Sequence, residues 1–337
     1  RGYMNCGVKT EQYGMGYLDS SGAYTGLDIE YCRAIAAAIG LNPDGDVYYV
    51  LATGSNRFDL LASGDIDVLI RTTTWTTSRD AGLNAEFAGI NFYDGQGIMI
   101  RSDFISAEAA ENSIYALDGA NICVGIGTTS EMNIVDWSSA SGVSINPVYV
   151  AGYWEANERF IDGSCDAYTG DTSALVAKKW QMDNDGSMGT DNDGNTIEIW
   201  IGQELLSKEP LAAVTRDYDS EWNEIVSWVW YGMITAEEMG ISSQNYQSAD
   251  TSAPSIDRLL NQNLGLGTDA NPLSNTWMQS VLDAVGNYGE AYDRAFCDGT
   301  YDGVSGSDAM TGCLISRSGT YNALVSEGGL QYAPAMR

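Results

Sequence analysis

The sequence contains no histidine, only four lysines among its 16 basic residues, and six prolines in 337 residues. Without histidine, the commonest general base and metal ligand is missing, and with it serine–histidine triads and histidine-bearing zinc sites. The six cysteines, Cys6, Cys32, Cys123, Cys165, Cys297 and Cys313, form no CxxC pair, so thioredoxin-type chemistry and zinc ribbons lose their ligands. No stretch approaches the roughly 18 consecutive apolar residues that a membrane span requires. Basic charge is scarce: 46 acidic against 16 basic residues leave a net −30. Such a surface repels phosphate backbones, and no nucleic-acid partner is expected. It stays soluble where salt screens self-repulsion, the Debye length being about 3 Å at 1 M, as in a marine or halophilic bacterium.

What remains is an ordinary globular composition, 44% hydrophobic and 18% charged, with length for about two domains. The chain opens on Arg1, and we expect a mature form from which a signal peptide has been removed. An even cysteine count without a metal or redox motif leaves buried thiols or disulfides. Spacing alone cannot choose among the connectivities, but local topology favours neighbours in sequence order, 6–32, 123–165 and 297–313, which implies an oxidising compartment.

Strand and helix signals alternate over the first hundred residues. Residues 3–9 form a short apolar run. Leu27, Tyr31, Ile35 and Ile39 recur at helical spacing up to Gly40 and Pro43, then residues 47–51 read as a strand, 56–63 as a helix and 67–70 as a strand. The pattern restarts with strand 121–125, helix 130–137, strand 144–150, helix 153–161 and strand 166–169. Two such units predict an α/β protein of two similar lobes, each a mainly parallel sheet flanked by helices. Between them residues 92–100 are apolar but loosened by Gly95 and Gly97, as a crossing segment would be. Residues 183–195, DNDGSMGTDNDGN, resemble calcium loops in part, but no glutamate stands at the required offset, so we expect a solvated loop without metal, with calcium binding as the alternative. A strand at 197–201 follows, Pro210 is expected to break any regular element, and helices are expected at 221–238, 276–285 and 320–325.

Three segments could carry chemistry. RTTTWTTSRD, residues 71–80, leaves a strand end, where open α/β sheets bind ligands; Arg79 offers a planar fork for a carboxylate, and Thr72 and Thr74 share a face if the segment stays extended. GIGTTSE, residues 125–131, has Thr128 and Glu131 at capping-box spacing; its helix start is an anion site that Gly127 opens to close approach. It lacks the lysine of a nucleotide phosphate loop. CDAYTGDT, residues 165–172, ends a strand at Asp171, which is either a helix cap or an acceptor for an ammonium group. Singly each is an ordinary surface feature. Together, an arginine with hydroxyls and an aspartate are the minimum that a buried amino-acid zwitterion demands, since burying either charge unpaired costs several kcal/mol. Arg79 falls in the first unit and Asp171 in the second, so the ligand is expected to bridge both and to favour closure.

At these residues the sequence resembles the polar-amino-acid family of periplasmic solute-binding proteins, family 3, and within it the branch serving general L-amino-acid ABC importers. The segments that carry the resemblance run nearly end to end: RGYMNCGV, YTGLDIEYCRAIAAAI, NRFDLLASGDIDVLIRTTTWTTSRD, FAGINFYDGQGIMIR, VGIGTTSE, CDAYTGD, LLSKEPLAAV, AVGNYGEAYDR and GGLQYAPAMR. The resemblance implies the type II periplasmic-binding fold with its ligand cleft at the hinge. Lobe 1 would comprise residues 1–92 and 211–337 and lobe 2 residues 95–207, with hinge strands near 92–95 and 207–211. It implies that Arg79 binds the ligand carboxylate with the hydroxyls of Thr74 and Thr72, that Thr128 and Thr129 form the helix-start pair, and that Asp171 takes the ammonium. Cys6–Cys32 and Cys123–Cys165 match the branch's paired positions. The loop bearing Tyr13, Met15 and Tyr17, which covers the ligand side chain in the family, diverges here. Position 72 is usually asparagine in the branch, and residues 183–195 look like an insertion. The implied partners are a free L-amino acid and an inner-membrane permease with its ATPase; the implied state is a periplasmic monomer without cofactor or catalytic residues. The alternatives are a cleft enzyme resembling cyclohexadienyl dehydratases, disfavoured by the missing histidine, and a sensory binding protein.

The charge imbalance makes its own prediction. Self-repulsion at −30 should be screened by salt, so the melting temperature of the ligand-free protein is expected to rise between low and molar NaCl. A flat or falling curve in differential scanning fluorimetry would remove the halophilic reading and leave the fold untouched.

Overall fold

The computed structural model describes residues 1–301 and 312–337. Two compact units result: one from Arg1–Ala52, Arg57–Tyr93 and Leu211–Arg337, the other from Thr53–Asn56 and Asp94–Pro210. The chain passes between them within two strands, Ala85–Arg101 and Ser207–Arg216. Pro210 lies inside the second of these and does not end it, contrary to expectation, because a proline's fixed φ suits extended backbone.

In the first unit, Met4–Val8 pairs in parallel with Val47–Leu51 on one side and Val68–Leu69 on the other. Ser207–Arg216 continues the sheet antiparallel to Val68–Leu69, with Ala85–Arg101 beyond it. A small antiparallel sheet, Glu11–Gln12, Gly16–Leu18 and Tyr24–Thr25, carries the chain to the first helix, Leu27–Ala38. Gly26 before that helix has φ 116°, and a Cβ there would stand 2.1 Å from the Met15 carbonyl oxygen, so only glycine fits.

The first helix is buried on nearly every side because it lies among three others, Ser220–Glu238, Trp277–Ala284 and Tyr288–Phe296. Their core holds Trp230, Trp277, Tyr31, Tyr288, Tyr292 and Phe92, and Tyr31 reaches the Val226 carbonyl at 2.7 Å. Tyr288–Phe296 begins with a capping box between Asn287 and Glu290. Neither that helix nor Pro254–Asn261 is among the elements expected from the sequence, and the helix expected at 320–325 is a series of turns closed by a 3-10 turn at Val325–Glu327.

The tail that follows is fastened by charge. Arg317 is fully buried and makes two parallel bonds to Glu237, 2.6 and 2.9 Å long, while its guanidinium lies 5.0 Å from the Tyr288 ring centre. Cys297 is bonded to Cys313 just ahead of it. Most of the glycine- and aspartate-rich stretch that this bridge encloses lies outside the described residues.

In the second unit Asn121–Gly125 pairs in parallel with Asn146–Val150 and Ala167–Asp171, and Ala167–Asp171 runs antiparallel to Ala85–Arg101. Alternation along Ala85–Arg101 fills both faces: Ile98 and Ile100 enter one core with Ile114, Ile122 and Ile134, and Met99 enters another with Phe160 and Leu175. The helix Thr172–Asp185 extends into the acidic segment read as a loop and stops at Gly186 in left-handed conformation. Asp191 turns on its own backbone there, accepting from the N–H groups of Asp193 and Asn195, and among the described residues no cluster suited to a metal ion is found. The other bridges are Cys6–Cys32 and Cys123–Cys165, so all six cysteines pair as neighbours.

The Arg317–Glu237 pair yields a stability prediction. Removing one partner of a buried ion pair strands the other, so Arg317→Met should cost about 3–5 kcal/mol in urea unfolding. The double variant Arg317→Met with Glu237→Gln should recover a substantial part. If Arg317→Met alone is neutral, the pair does not hold the tail.

Candidate functional site

The parallel strands of the first unit all end on one edge of the sheet, and the chemistry-bearing residues gather there. Lys9 follows Val8, and Arg71 and Thr72 follow the strand Val68–Leu69 after Ile70. Arg71 Nε donates to the Ala52 carbonyl at 2.9 Å, and Lys9 Nζ to Gln12 at 2.7 Å. Thr72 does not continue the strand as expected. Its φ is 41°, so the simple alternation of Thr72 with Thr74 breaks at this residue.

The cause is Asp28, a fully buried carboxylate on the first helix that accepts the Thr72 N–H at 3.2 Å and the Asn91 side chain at 3.4 Å. Burial raises its pKa to about 6, against the pull of Lys9, the Thr72 N–H, Arg71 and Asn91. The Thr72 hydroxyl is buried without a hydrogen-bond partner. Thr74 bridges to Leu211, and its carbonyl accepts from Arg79 Nη1 at 2.8 Å. Thr76 caps the short helix Thr77–Gly82 that carries Arg79, whose guanidinium lies 5.7 Å from the Phe58 ring centre. Tyr13 and Tyr17 stack at 3.9 Å with their hydroxyls joined at 2.8 Å. Met15, in contrast, is fully buried in the core of this unit.

In the second unit the strands Asn121–Gly125 and Ala167–Asp171 are parallel neighbours, so the helices that follow both start at the same sheet edge. Thr128 caps Thr129–Ser141 by accepting from the Glu131 N–H, and Glu131 accepts from the Gly127 N–H at 2.7 Å. Gly127 has φ 70°, and a Cβ there would lie 2.9 Å from the Gly54 carbonyl oxygen: the close approach is to backbone. The Thr129 hydroxyl donates to Glu209 at 2.7 Å.

Asp171 stands at the cap position of Thr172–Asp185 but makes no side-chain cap bond. Asp94 accepts from the Ser173 N–H at 3.3 Å and from the Gly95 N–H at 2.8 Å, so the first turn is served from the neighbouring strand. Burial, and then the charge of Asp171, raise the pKa of Asp94 to about 7.

Asp28, Asp94 and Glu209 are the residues of these edges that sequence reasoning missed. They lie in the segments GLDIE, FYDGQ and SKEPLA, but nothing in one dimension marked the partners that the fold gives them.

Against known proteins, the model for bacterial extracellular solute-binding proteins, family 3, matches residues 4–247, and the chain belongs to this family. It is 38% identical to the glutamate/glutamine/aspartate/asparagine-binding protein BztA of Rhodobacter capsulatus, over 100% of this chain and 91% of that protein. It is 37% identical to the general L-amino acid-binding periplasmic protein AapJ of Rhizobium johnstonii, with the same coverage. Among solved structures, an ABC transporter periplasmic binding protein from Brucella ovis with glutathione bound superposes with a TM-score of 0.83 at 36% identity, covering 100% of this chain and 97% of that one. An ancestral arginine-binding protein bound to arginine shares the fold alone, at 24% identity and a TM-score of 0.56 over 77% of this chain and 96% of its own. The fold is thus the α/β periplasmic-binding type.

Asp28 makes the stability depend on pH. Its folded pKa of about 6 lies above the ordinary 3.8, so the folded chain keeps a proton that the unfolded chain has lost in that window. The cost is absent below about pH 4 and complete above about pH 6, on the order of 3 kcal/mol. Asp28→Asn should therefore gain on the wild type by that order between pH 4 and pH 7 in urea titrations. An unchanged difference would mean that Lys9 and Arg71 keep the carboxylate ionised throughout.

Proposed function

We propose that this chain is the binding component of an ABC importer, capturing a free L-amino acid outside the cytoplasm and delivering it to a membrane permease driven by an ATPase. The observation that carries the reading is the exchange at the start of Thr172–Asp185. Asp94 serves the helix N-terminus, so the cap reading of Asp171 loses its main support, and we assign the residue to a ligand ammonium. Arg79, on a short helix at the edge where the first unit's parallel strands end, is the group for the ligand carboxylate, with Thr74 beside it. Thr72 joins them through its buried hydroxyl, which lacks a partner. Thr128 and Thr129 serve at the second unit's helix start, and Tyr13 and Tyr17 face the ligand side chain.

The relatives support transport over catalysis, since BztA and AapJ are both named as binding proteins and AapJ as periplasmic. We place this chain in the periplasm as a monomer after removal of a signal peptide. Among the described residues no helix is long and apolar enough to cross a membrane.

A thermal-shift screen against the twenty amino acids identifies the ligand, with glutathione added because the Brucella ovis protein holds it. A ligand at about 100 times its Kd contributes roughly 2.7 kcal/mol. With that ligand, calorimetry should show Arg79→Ala and Asp171→Ala each weakened at least ~30-fold, as truncating one partner of a buried charge pair costs about 2–5 kcal/mol. Arg79→Lys should recover part, because an ammonium cannot make the bidentate pair. Wild-type affinity in Asp171→Ala would return that residue to a structural role, and the same result in Arg79→Ala would remove the amino-acid reading.

A further inference from the structure

The tail that Arg317 fastens also reaches the crossing strand Ala85–Arg101. It lies beyond residue 247, where the match to the family model ends. Buried Asn322 acts there as a substitute for a paired strand: its Oδ1 accepts from the Tyr93 N–H at 2.7 Å, and its Nδ2 donates to the Tyr93 carbonyl at 3.0 Å. Two residues earlier, the Asn91 carbonyl accepts from Gln331 Nε2 at 3.1 Å. Backbone groups two residues apart in a strand face the same edge, so the tail serves one edge over residues 91–93. Both amides are held from behind. Tyr288 donates to the Asn322 carbonyl at 2.6 Å, and Trp230 Nε1 donates to Gln331 Oε1 at 3.4 Å. The Tyr93 hydroxyl in turn reaches the Leu330 carbonyl at 3.2 Å.

The stretch so held leads to the candidate site. Asn91 is 2% exposed, and its Nδ2 donates to Asp28, which accepts the Thr72 N–H at 3.2 Å. Phe92, between the two held residues, lies with its ring centre 5.6 Å from that of Phe296. Hydrogen bonds weaken steeply with poor geometry, so a shift of the Asn91 backbone passes to Asp28 and from there to Thr72. Resting on the amino-acid reading above, we propose that Gln331 and Asn322 are positioning residues for ligand binding: by fixing residues 91–93 they hold Asn91, Asp28 and Thr72 in the arrangement that the ligand meets. No ligand atom need touch the tail for this.

Gln331→Glu exchanges one NH2 group for an oxygen. The acceptor for Trp230 stays, while a carboxylate oxygen faces the Asn91 carbonyl, two acceptors with no hydrogen between them. Asn322→Asp does the same at the Tyr93 carbonyl and keeps the acceptor for the Tyr93 N–H. The probes are the twenty L-amino acids, and the one that wild type binds most tightly is carried through. Calorimetry is run at a temperature where near-UV circular dichroism shows every variant folded.

Both tail variants should bind that probe more weakly, on the order of fivefold. A merely structural role predicts a lower melting temperature with an unchanged Kd, since lost stability does not alter the affinity of chains that remain folded. Asn91→Ala should weaken binding to a similar extent, and Gln331→Glu should add nothing in that background. Wild-type affinity in both folded tail variants overturns the proposal, and so do additive losses in the double variant. Should a tail variant fail to fold, Gln331→Ala or Asn322→Ala, which removes the contact without opposing two oxygens, takes its place. Failure of the wild type to bind any of the twenty amino acids overturns the amino-acid reading itself, and this proposal with it.

Discussion

A buried carboxylate must be met by hydrogen-bond donors or by positive charge, and this chain, with 46 acidic and 16 basic residues, has little positive charge to give. Glu237 receives a guanidinium fork from Arg317, and that pair, sealed among Tyr288 and its neighbours, fastens the C-terminal tail. Asp28 and Glu209 accept from backbone N–H groups, hydroxyls and amides, as does the partly buried Asp94. Every such solution dictates local geometry. Asp28 holds Thr72 at a positive φ, Asp94 takes over the start of a helix, and Glu209 orients Thr129.

The same constraint separates the surface charge from the site. Excess acid on the surface is a matter of solvation, screened within a few ångströms at high salt. The acids at the sheet edges are sheltered from that screening, and their effect is specific: they hold particular neighbouring groups. Asp171 stands at a cap position without a cap bond, and the Thr129 hydroxyl donates to a buried carboxylate.

Family membership and the fold's outline were legible in one dimension. Helical spacing of Leu27, Tyr31, Ile35 and Ile39, the alternation of strands with helices, and the pairing of cysteines in sequence order all depend on contacts between near neighbours or on strand–helix order. Local rules failed where tertiary contacts overrode them. Pro210 continues a strand and Thr72 leaves one. The helix Tyr288–Phe296 carries an apolar stripe, Tyr288, Ala291, Tyr292 and Phe296, but the stripe spans only nine residues and glycine, glutamate and aspartate interrupt it in the sequence.

The sequence by itself determined the class of the protein: an acidic, histidine-free, cysteine-paired α/β chain of family 3, with Arg79, the paired threonines and Asp171 as candidate groups. It could do so because composition, periodicity and motif are properties of residue order. Only the tertiary structure decided which distant residues meet at the sheet edges that carry those groups. Asp28 is 44 residues from Thr72, Asp94 is 79 from Ser173 and Glu209 is 80 from Thr129. A hydrogen bond is satisfied in space, by whatever the fold brings within 3 Å or so, and no spacing rule along the chain encodes partners so distant.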